Sequence, residues 1–446
     1  MKKVLTSVSL MAIGATGLHA QYAPNLSPQE TSKPWSLTAS LRGFYDDNYL
    51  TQPNTTLNGL GKVIHPVQSS YGTEVSPAFS FNHSEEQTLI GLSYVYDLRW
   101  YEAHSTTDQS HQLNAKLDHA FSERYKIAAT DSFVIAQEPT VIDPGVVSSP
   151  LRTSGSNVRN TGTLDFTAEL TKELDLHLGY INNIYYYQQG FGDVVNSPGT
   201  PITPSRQALL NRMEQYFPVD LRWKIQPETT GILGYQFENV DYTSPEGILW
   251  KPATVMAIPA PPPSFVSKVR DEDDHFVYVG ADQTFSGKLN GSIRAGGEYV
   301  NYYNSPHTDQ LSPYADASLT YQYASRSYAQ LGVKHQHNST DVVGLTGGTT
   351  PVLDEESTSA YLSINHAITP DFTVGALAQY QYSTFVGGGT ANGDSEKFYV
   401  FGVNIAYHFN KFLMAETGYN FNELASDVPG RGYQRNQVYA GIRATY

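Results

Sequence analysis

One unit recurs along the chain and constrains its fold more than any other feature: a segment of alternating apolar and polar residues, a short turn, and a second such segment. Examples are LDFTAELTKELDLHLGY, GADQTFSGKLNGSIRAG and VNIAYHFNKFLMAETGY. Successive side chains of a strand point to opposite faces, so each segment has one apolar and one polar face. Repeated hairpins of this kind predict an all-β fold built from antiparallel strands that follow one another in space.

The apolar residues are spread thinly through these units. They make up 40% of the sequence, the mean hydropathy is −0.37, and Cys is absent. After the first residues, no segment approaches the roughly 18 consecutive apolar residues that a membrane-spanning helix needs. Alternation without long apolar runs is typical of a barrel wall that faces lipid on one side and an aqueous lumen on the other. The absence of Cys excludes disulfides and thiolate metal sites.

The connections between units are longer than the turns within them, and they are rich in Gly, Pro, Asn, Ser and Thr. Short and long connections are therefore expected to alternate, as in an up-and-down transmembrane β-barrel with short periplasmic turns and long extracellular loops. Counting strands on this scheme predicts about 18, an even number that returns both termini to the periplasm. The long connections are Gln137–Asn160, Gln188–Ser205, Thr243–Asp274, Asn338–Glu356 and Phe385–Glu396.

The beginning of the chain has the pattern of an export signal. Lys2 and Lys3 precede an apolar run that continues to Leu18, and Ala20 is a small residue suited to signal peptidase. We expect residues 1–20 to be a signal peptide, residues 21–34 a periplasmic leader, and residues 35–446 the barrel.

The last strand agrees with an outer-membrane destination. Its apolar face consists of Val438, Ala440 and Ile442 and ends on the aromatic Tyr446. An apolar face that ends on a carboxyl-terminal aromatic residue resembles the signal by which the barrel assembly machinery recognises outer-membrane barrels. These four residues are therefore the predicted insertion signal.

The same alternation predicts which side chains face the lumen. Charged residues of both signs lie on the polar face of the strands, and several tyrosines share that face. Charged side chains on this face cannot contact lipid, so they must be hydrated by water in the lumen or form ion pairs with one another. The predicted lumen-lining residues, which are candidate solute contacts, are Arg42, Asp97, Arg99, Lys116, Asp118, Asp220, Arg222, Arg294, Glu298, Asp316, Lys334, Glu416, Arg443, Tyr216, Tyr278, Tyr328, Tyr361 and Tyr439.

The chain also resembles a known family. The segment FYDDNYL, Phe44–Leu50, ends the first predicted strand, and strand-turn-strand units follow it through the chain. In both respects the mature chain resembles the putative beta-barrel porin 2 group of bacterial outer-membrane proteins. The resemblance implies a barrel, and some similar barrels are associated with polysaccharide export. It implies no catalytic residues.

Other functional classes find little support. The formal net charge of −15 disfavours nucleic acid as a partner, because phosphate binding uses clustered Lys and Arg. The run Asp271–Asp274 lacks the spacing of a calcium loop, so we interpret it as a solvated acidic rim. His335 and His337 alternate on one strand without a third ligand nearby, and we interpret them as surface residues. We expect no catalytic residues, no metal and no cofactor.

Two functions remain open. The first is a bacterial outer-membrane porin through which small hydrophilic solutes diffuse passively. The lumen tyrosines could favour sugar rings or could simply pack. The alternative is a structural or export barrel, for example a partner in polysaccharide export. In either case the expected surroundings are outer-membrane lipid and lipopolysaccharide.

Overall fold

Eighteen strands hydrogen-bond into one closed antiparallel sheet in the computed structural model, which confirms the predicted fold class and strand number. The structure describes residues 34–53, 67–103, 106–136, 156–194, 202–250, 263–305, 309–344, 350–428 and 430–446. The predicted signal peptide, and the leader apart from Pro34, lie outside these residues. None of the helices in the described ranges is both long enough and apolar enough to cross a membrane.

Twenty strands are numbered in chain order. Two of them, β10 and β11, form a separate two-stranded sheet, and the other 18 form the barrel. The bounds are β1 Trp35–Asp46, β2 Ser70–Ser84, β3 Thr88–Tyr101, β4 Thr106–Ala120, β5 Tyr125–Ala136, β6 Asn157–Glu169, β7 Leu174–Tyr187, β8 Arg212–Gln226, β9 Thr229–Tyr242, β10 Gly247–Leu249, β11 Phe265–Val266, β12 Glu272–Ser286, β13 Leu289–Asn301, β14 Gln310–Ala324, β15 Ser327–Asn338, β16 Val352–Ala367, β17 Phe372–Gly387, β18 Ser395–His408, β19 Leu413–Ser426 and β20 Tyr433–Thr445.

The barrel closes where the first and last strands pair. The register of β1 and β20 runs from Thr38 opposite Thr445 to Asp46 opposite Gln437. At the end of this seam Leu37 and Tyr446 exchange backbone hydrogen bonds of 3.0 and 2.8 Å. Since every barrel strand pairs on both sides, no edge remains to hydrogen-bond with another chain.

The connections divide the barrel into two ends. Turns of two to four residues follow β2, β4, β6, β8, β12, β14, β16 and β18, and we call this the short-turn end. Most connections at the other end, the long-loop end, are longer, and the one between β9 and β12 contains β10 and β11. The predicted strict alternation is wrong at one place, because residues 102–105 join β3 to β4 with only four residues.

The wall alternates as the sequence predicted. Along β1, Leu37 and Leu41 are 50% and 52% exposed, whereas Ser36 and Ser40 are each 4% exposed. The exposed apolar set faces outward, where lipid would lie, and the polar set faces inward. Large aromatic side chains are exposed beside the short turns, as in an interfacial girdle. They include Phe121, Trp223, Phe285, Tyr321, Tyr407 and Phe409.

Several clusters of buried apolar residues lie at the long-loop end. One cluster joins Val342, Val352, Phe385, Ala391 and Val428, which come from three loops and two strand ends. A short helix, α1 Arg206–Leu210, lies in the connection between β7 and β8 and buries Ala208 and Leu210. The long loops therefore pack on one another.

Candidate functional site

The eighteen predicted lumen residues all lie on the inward face of the barrel, because strand pairing places them on the face opposite the exposed apolar side chains. The strand register brings several of them side by side. Arg294 is opposite Asp316 on the neighbouring strand, and Asp316 is in turn opposite Lys334. On these three strands the inner wall thus carries adjacent charges of opposite sign.

A row of charged residues crosses the seam between the first and last strands. Arg99, Glu74, Arg42, Gly441 and Glu416 occupy directly opposed positions on five consecutive strands. Glu74 accepts from Arg99 Nε at 2.7 Å and from Arg42 Nη1 at 2.8 Å. Arg42 Nε reaches past Gly441 to Glu416 at 2.5 Å. We call these five residues the seam row.

The seam row holds its charges inside the wall. Arg42 is 3% exposed and Arg99 6%, so their guanidinium groups present little surface to a passing solute. Glu74 was not among the predicted lumen residues. Its alternation with the outward Val75 along β2 would have been enough to predict that it faces the lumen. Arg443 extends the group, with its Nη2 atom 3.8 Å from Glu416.

Three of the five predicted lumen tyrosines pack flat against glycines of a neighbouring strand. A Cβ atom added at Gly234 would lie 2.1 Å from the ring of Tyr278, and one added at Gly332 would lie 2.2 Å from the ring of Tyr361. Tyr439 covers Gly418 in the same way. An aromatic ring that covers a strand glycine stabilises the sheet locally. Packing therefore accounts for the position of these three rings.

The more accessible inward charges lie in the half of the barrel nearer the short turns. Lys116 Nζ is 3.0 Å from Asp118, and these side chains are 31% and 23% exposed. Lys224 Nζ is 3.0 Å from Asp175. Since acids and bases are paired here, this part of the lumen has no ring of a single sign.

The long-loop end is different, because carboxylates outnumber bases on the inward face of four adjacent strands. Glu214, Glu238, Glu272, Asp274 and Glu298 form what we call the acidic arc, and none is more than 7% exposed. Glu238 and Asp274 are directly opposite each other on β9 and β12.

Only part of the acidic arc is neutralised. Glu214 accepts from Arg212 Nε at 2.7 Å, and Glu298 accepts from the backbone N–H of His337 at 3.0 Å. Glu272 Oε2 and Asp274 Oδ1 are buried without a hydrogen-bond partner among the described residues. The acidic arc therefore places more carboxyl groups than basic groups at this end of the lumen.

The predicted solvated acidic rim at Asp271–Asp274 is wrong. Asp271, Glu272 and Asp274 are only 2%, 3% and 3% exposed. The reason is that β12 begins at Glu272, inside the run, so that alternate residues point into the barrel beneath the packed loops. Asp271 lies just before the strand, where burial raises its pKa to about 6 although Tyr242 N–H and Asn304 donate to it.

The interpretation of His337 as a surface residue is also wrong. The residue is 5% exposed, and its ring lies between Ser312 Oγ at 2.6 Å and Asp354 Oδ2 at 2.5 Å. The hydrogen-bonded pairing of β14 and β15 ends at Ala315 and His335. Beyond that point the backbone N–H of His337 donates to the inward Glu298 instead of to β14. His335 is half-buried, with its ring near Thr358 and Glu356.

A fully buried arginine holds the long loops together. Arg270, which precedes β12, donates to the carbonyl oxygens of Val352 at 3.0 Å, Thr340 at 2.9 Å and Leu209 at 3.4 Å, and also to that of Val342. These acceptors belong to α1, to the loop between β15 and β16, and to the start of β16. Arg270 therefore joins three connections that are far apart in sequence.

A second arginine joins the last loop to the same layer. Arg431 Nη2 lies 2.7 Å from Asp341, and its Nε lies 2.5 Å from Glu396. Burial opposes the charge, but these two carboxylates raise the pKa of Arg431 above its ordinary value. Neither arginine was singled out from the sequence, because both act through loop residues that carry no periodic pattern. We call the loops joined by Arg270 and Arg431 the loop layer.

Comparison with known proteins agrees with this architecture. Residues 262–446 match the family model described as Putative beta-barrel porin 2. The match confirms the family resemblance over the region from β11 to β20. The FYDDNYL segment at Phe44–Leu50 lies outside the matched residues. No curated protein matches the sequence.

Three solved structures that this chain resembles are distant in sequence. OccK2 (OpdF) of Pseudomonas aeruginosa, solved in complex with glucuronate, is 9% identical with a TM-score of 0.42, and the alignment covers 92% of this chain and 98% of that one. A BenF-like porin from Pseudomonas fluorescens is 11% identical with a TM-score of 0.43, covering 93% and 99%. The FrpB iron transporter from Neisseria meningitidis is 10% identical with a TM-score of 0.38, covering 93% and 82%. At these TM-scores, the assignment of the architecture rests on the strand pairing described above.

Proposed function

We propose that this protein is a bacterial outer-membrane channel through which small hydrophilic solutes diffuse passively, with a mild preference for cations. The observation that carries the proposal is the closed 18-stranded wall with a polar inner face and an apolar outer face. Barrels of about 16 to 18 strands are wide enough to enclose an aqueous channel. In this proposal the outer face contacts outer-membrane lipid and lipopolysaccharide, and the protein catalyses no reaction.

The orientation follows the usual arrangement of such barrels. Short turns face the periplasm and longer loops face the outside. The acidic arc and the loop layer then lie at the outer entrance, and the paired charges such as Lys116 and Asp118 lie on the periplasmic side. The barrel assembly machinery would meet the apolar face of β20, which ends at Tyr446.

The preference for cations comes from the acidic arc. Along the periplasmic half of the lumen, bases and acids lie within about one hydrogen-bond length of each other, so their fields largely cancel. At the entrance, Glu272 Oε2 and Asp274 Oδ1 accept no hydrogen bond from the described residues. A negative entrance raises the local concentration of cations. Packing explains the rings of Tyr278, Tyr361 and Tyr439, so these rings give no support to a preference for sugars.

Two neighbouring aspartates provide a matched test. Asp274 points inward in the acidic arc, whereas Asp273 points outward and accepts from Asn239 Nδ2 at 2.8 Å. Purified protein in a planar bilayer with a salt gradient should give a reversal potential on the cation-selective side. Asp274→Asn should move that potential toward zero, and Asp273→Asn should leave it unchanged.

The same recording can reject the proposal. Anion selectivity of the native channel, or equal shifts from the two substitutions, would show that the acidic arc does not set the field at the entrance. Folding of each variant is checked first by the shift in gel mobility between heated and unheated samples.

One observation favours the alternative of a structural or export barrel whose lumen is gated. Arg270 is completely buried and ties together three of the long connections, so the loop layer is held as one unit at the long-loop end. A correctly folded barrel that carries no current in the bilayer would support this alternative and remove the diffusion channel. Current that appears only in Arg270→Met would identify the loop layer as the gate.

A further inference from the structure

The outer wall contains a carboxylate where lipid is expected. Asp131 lies on β5 and is exposed, with its side chain on the same face as the outward Ile127, Phe133 and Ile135. Its cross-strand partner on β4 is Ala115, which lies between the exposed Leu113 and Leu117. Pairing and alternation therefore both place Asp131 outside the barrel.

The position of Asp131 along the strand places it within the apolar band. It is six residues from Tyr125 at the short-turn end, which corresponds to about 20 Å along a strand. At a strand tilt of about 40° this is a height of roughly 15 Å, within an apolar band about 25 Å tall. Phe133 and Ile135 continue the apolar face on the other side. A carboxylate at this depth cannot be hydrated by bulk water.

Other outward charges of the described strands lie much closer to the long-loop end. Asp273 is the second residue of β12 and Asp241 the penultimate residue of β9. Water and lipid headgroups are within reach at those places. Further outward charges near that end are Glu356, Lys397 and Glu423.

The wall around Asp131 is recessed and carries hydrogen-bonding groups. Ala115 and Gly162 flank it on the adjacent strands, and both are small. Asn160 Nδ2 donates to Asp131 Oδ2 at 3.0 Å. Asn182 is opposite Gly162 on the next strand and turns its amide to the same face. We call Asp131, Asn160, Gly162 and Asn182 the polar patch.

We propose that the polar patch is the contact surface for a second copy of this chain in the membrane. In a two-fold arrangement each copy presents the same surface, so an acceptor on one copy meets a donor on the other and the reverse contact forms simultaneously. Asp131 of one copy then accepts from the Asn182 amide of the other copy. The glycine and alanine beside Asp131 let the two walls approach closely, as small residues do between helices in membranes. Both carboxylates are thereby removed from lipid.

Single cysteines test this surface directly, because the native sequence contains none. Gly162 and Gly297 both face outward, and a Cβ added at either one meets its nearest neighbour at 3.6 or 3.9 Å, so neither substitution crowds the wall. In native membranes with an oxidant, Gly162→Cys should give a disulfide-linked dimer on non-reducing gels, and Gly297→Cys should give monomer. Dimer from both variants, or from neither, would overturn the proposal.

A charge substitution provides a second readout on the purified protein. Native protein in mild detergent should have the mass of more than one protomer by native mass spectrometry. Asp131→Leu should shift it to the monomer, while Asp273→Leu should keep the native mass. A monomeric native protein, or an oligomer that Asp131→Leu leaves intact, would show that lipid, lipopolysaccharide or another protein covers the patch instead.

Discussion

The position of Gly441 in the seam row predicts a large effect for a very small substitution. Gly441 lies between Arg42 and Glu416, and the missing side chain lets Arg42 Nε reach Glu416 at 2.5 Å. A Cβ added at Gly441 would lie 2.4 Å from Leu41 O and 2.7 Å from Arg42 Cγ. Because one of these atoms belongs to the backbone, rotation of a side chain cannot relieve the contact. We therefore expect Gly441→Ala to separate the ion pair.

The size of the effect follows from the burial of the pair. Removing one partner from a buried ion pair costs about 3 to 5 kcal/mol. Arg42 keeps Glu74 at 2.8 Å, and Glu416 keeps Arg443 at 3.8 Å, so some compensation remains. We expect the free energy of unfolding to fall by about 3 kcal/mol, the lower end of that range.

The measurement is urea unfolding of the barrel in lipid vesicles, followed by tryptophan fluorescence, with Gly43→Ala as the control. Gly43 is on β1 and has no atom within 4 Å of an added Cβ, so its substitution should change stability by less than about 0.5 kcal/mol. Glu416→Gln removes the acid itself. In the Glu416→Gln variant, Gly441→Ala should lower the free energy of unfolding by roughly 2 kcal/mol less than it does in the native protein. This difference is the coupling energy expected for two groups in contact.

Two results would refute this reasoning. If Gly441→Ala destabilises no more than Gly43→Ala, the seam accommodates the methyl group without losing the pair. If the costs of Gly441→Ala and Glu416→Gln simply add, the effect of the methyl group is steric and the ion pair across the seam contributes nothing to it.

Four further predictions concern the wall, the lumen and the loop layer. Leu92→Arg should prevent assembly in heat-modifiability gels, since an outward Arg near the midplane costs about 2 to 4 kcal/mol, while the inward Ser93→Arg should assemble. Gly332→Val should displace the Tyr361 ring toward the lumen and lower single-channel conductance, and adding Tyr361→Ala should restore it. Arg270→Met should expose the loop layer to protease added outside, whereas Lys268→Met, at a half-exposed side chain, should not. Burial raises the pKa of Asp271 to about 6 from 3.8, so the carboxyl group binds a proton more tightly in the folded state than in the unfolded state. The contribution of Asp271 to stability should therefore fall as the pH rises between those two values. Asp271→Asn should remove this part of the pH dependence of the urea unfolding midpoint.

Parity along the strands was enough to identify the wall. It placed Arg42 and Arg99 inside and Val438 and Ile442 outside, because a strand has only two faces and lipid excludes charge from one of them. Even β5, whose apolar pattern is weak, forms a strand at Tyr125–Ala136. Its weakness has a local cause in Asp131, which interrupts the outward apolar face.

The details of the candidate site depend on contacts between distant parts of the chain, and alternation along a strand cannot predict these contacts. Arg270 meets Val352, 82 residues away in sequence, and no local periodicity marks either residue. The acidic run at Asp271–Asp274 was misinterpreted because the beginning of β12 could not be separated from the loop before it. Register between strands is also needed to see that Gly441 lies between Arg42 and Glu416.

The placement of glycine explains how the inner face can carry many large side chains and still leave room for solute. Tyr278, Tyr361 and Tyr439 each lie along the wall over a glycine of the adjacent strand, and Arg42 extends sideways over Gly441 in the same manner. Side chains laid along the wall narrow the lumen less than side chains that project across it. The wall charges nearer the short turns are also paired, as with Lys116 and Asp118. Selection among solutes should therefore take place at the long-loop end, where the acidic arc is only partly neutralised and the loop layer is held by buried arginines.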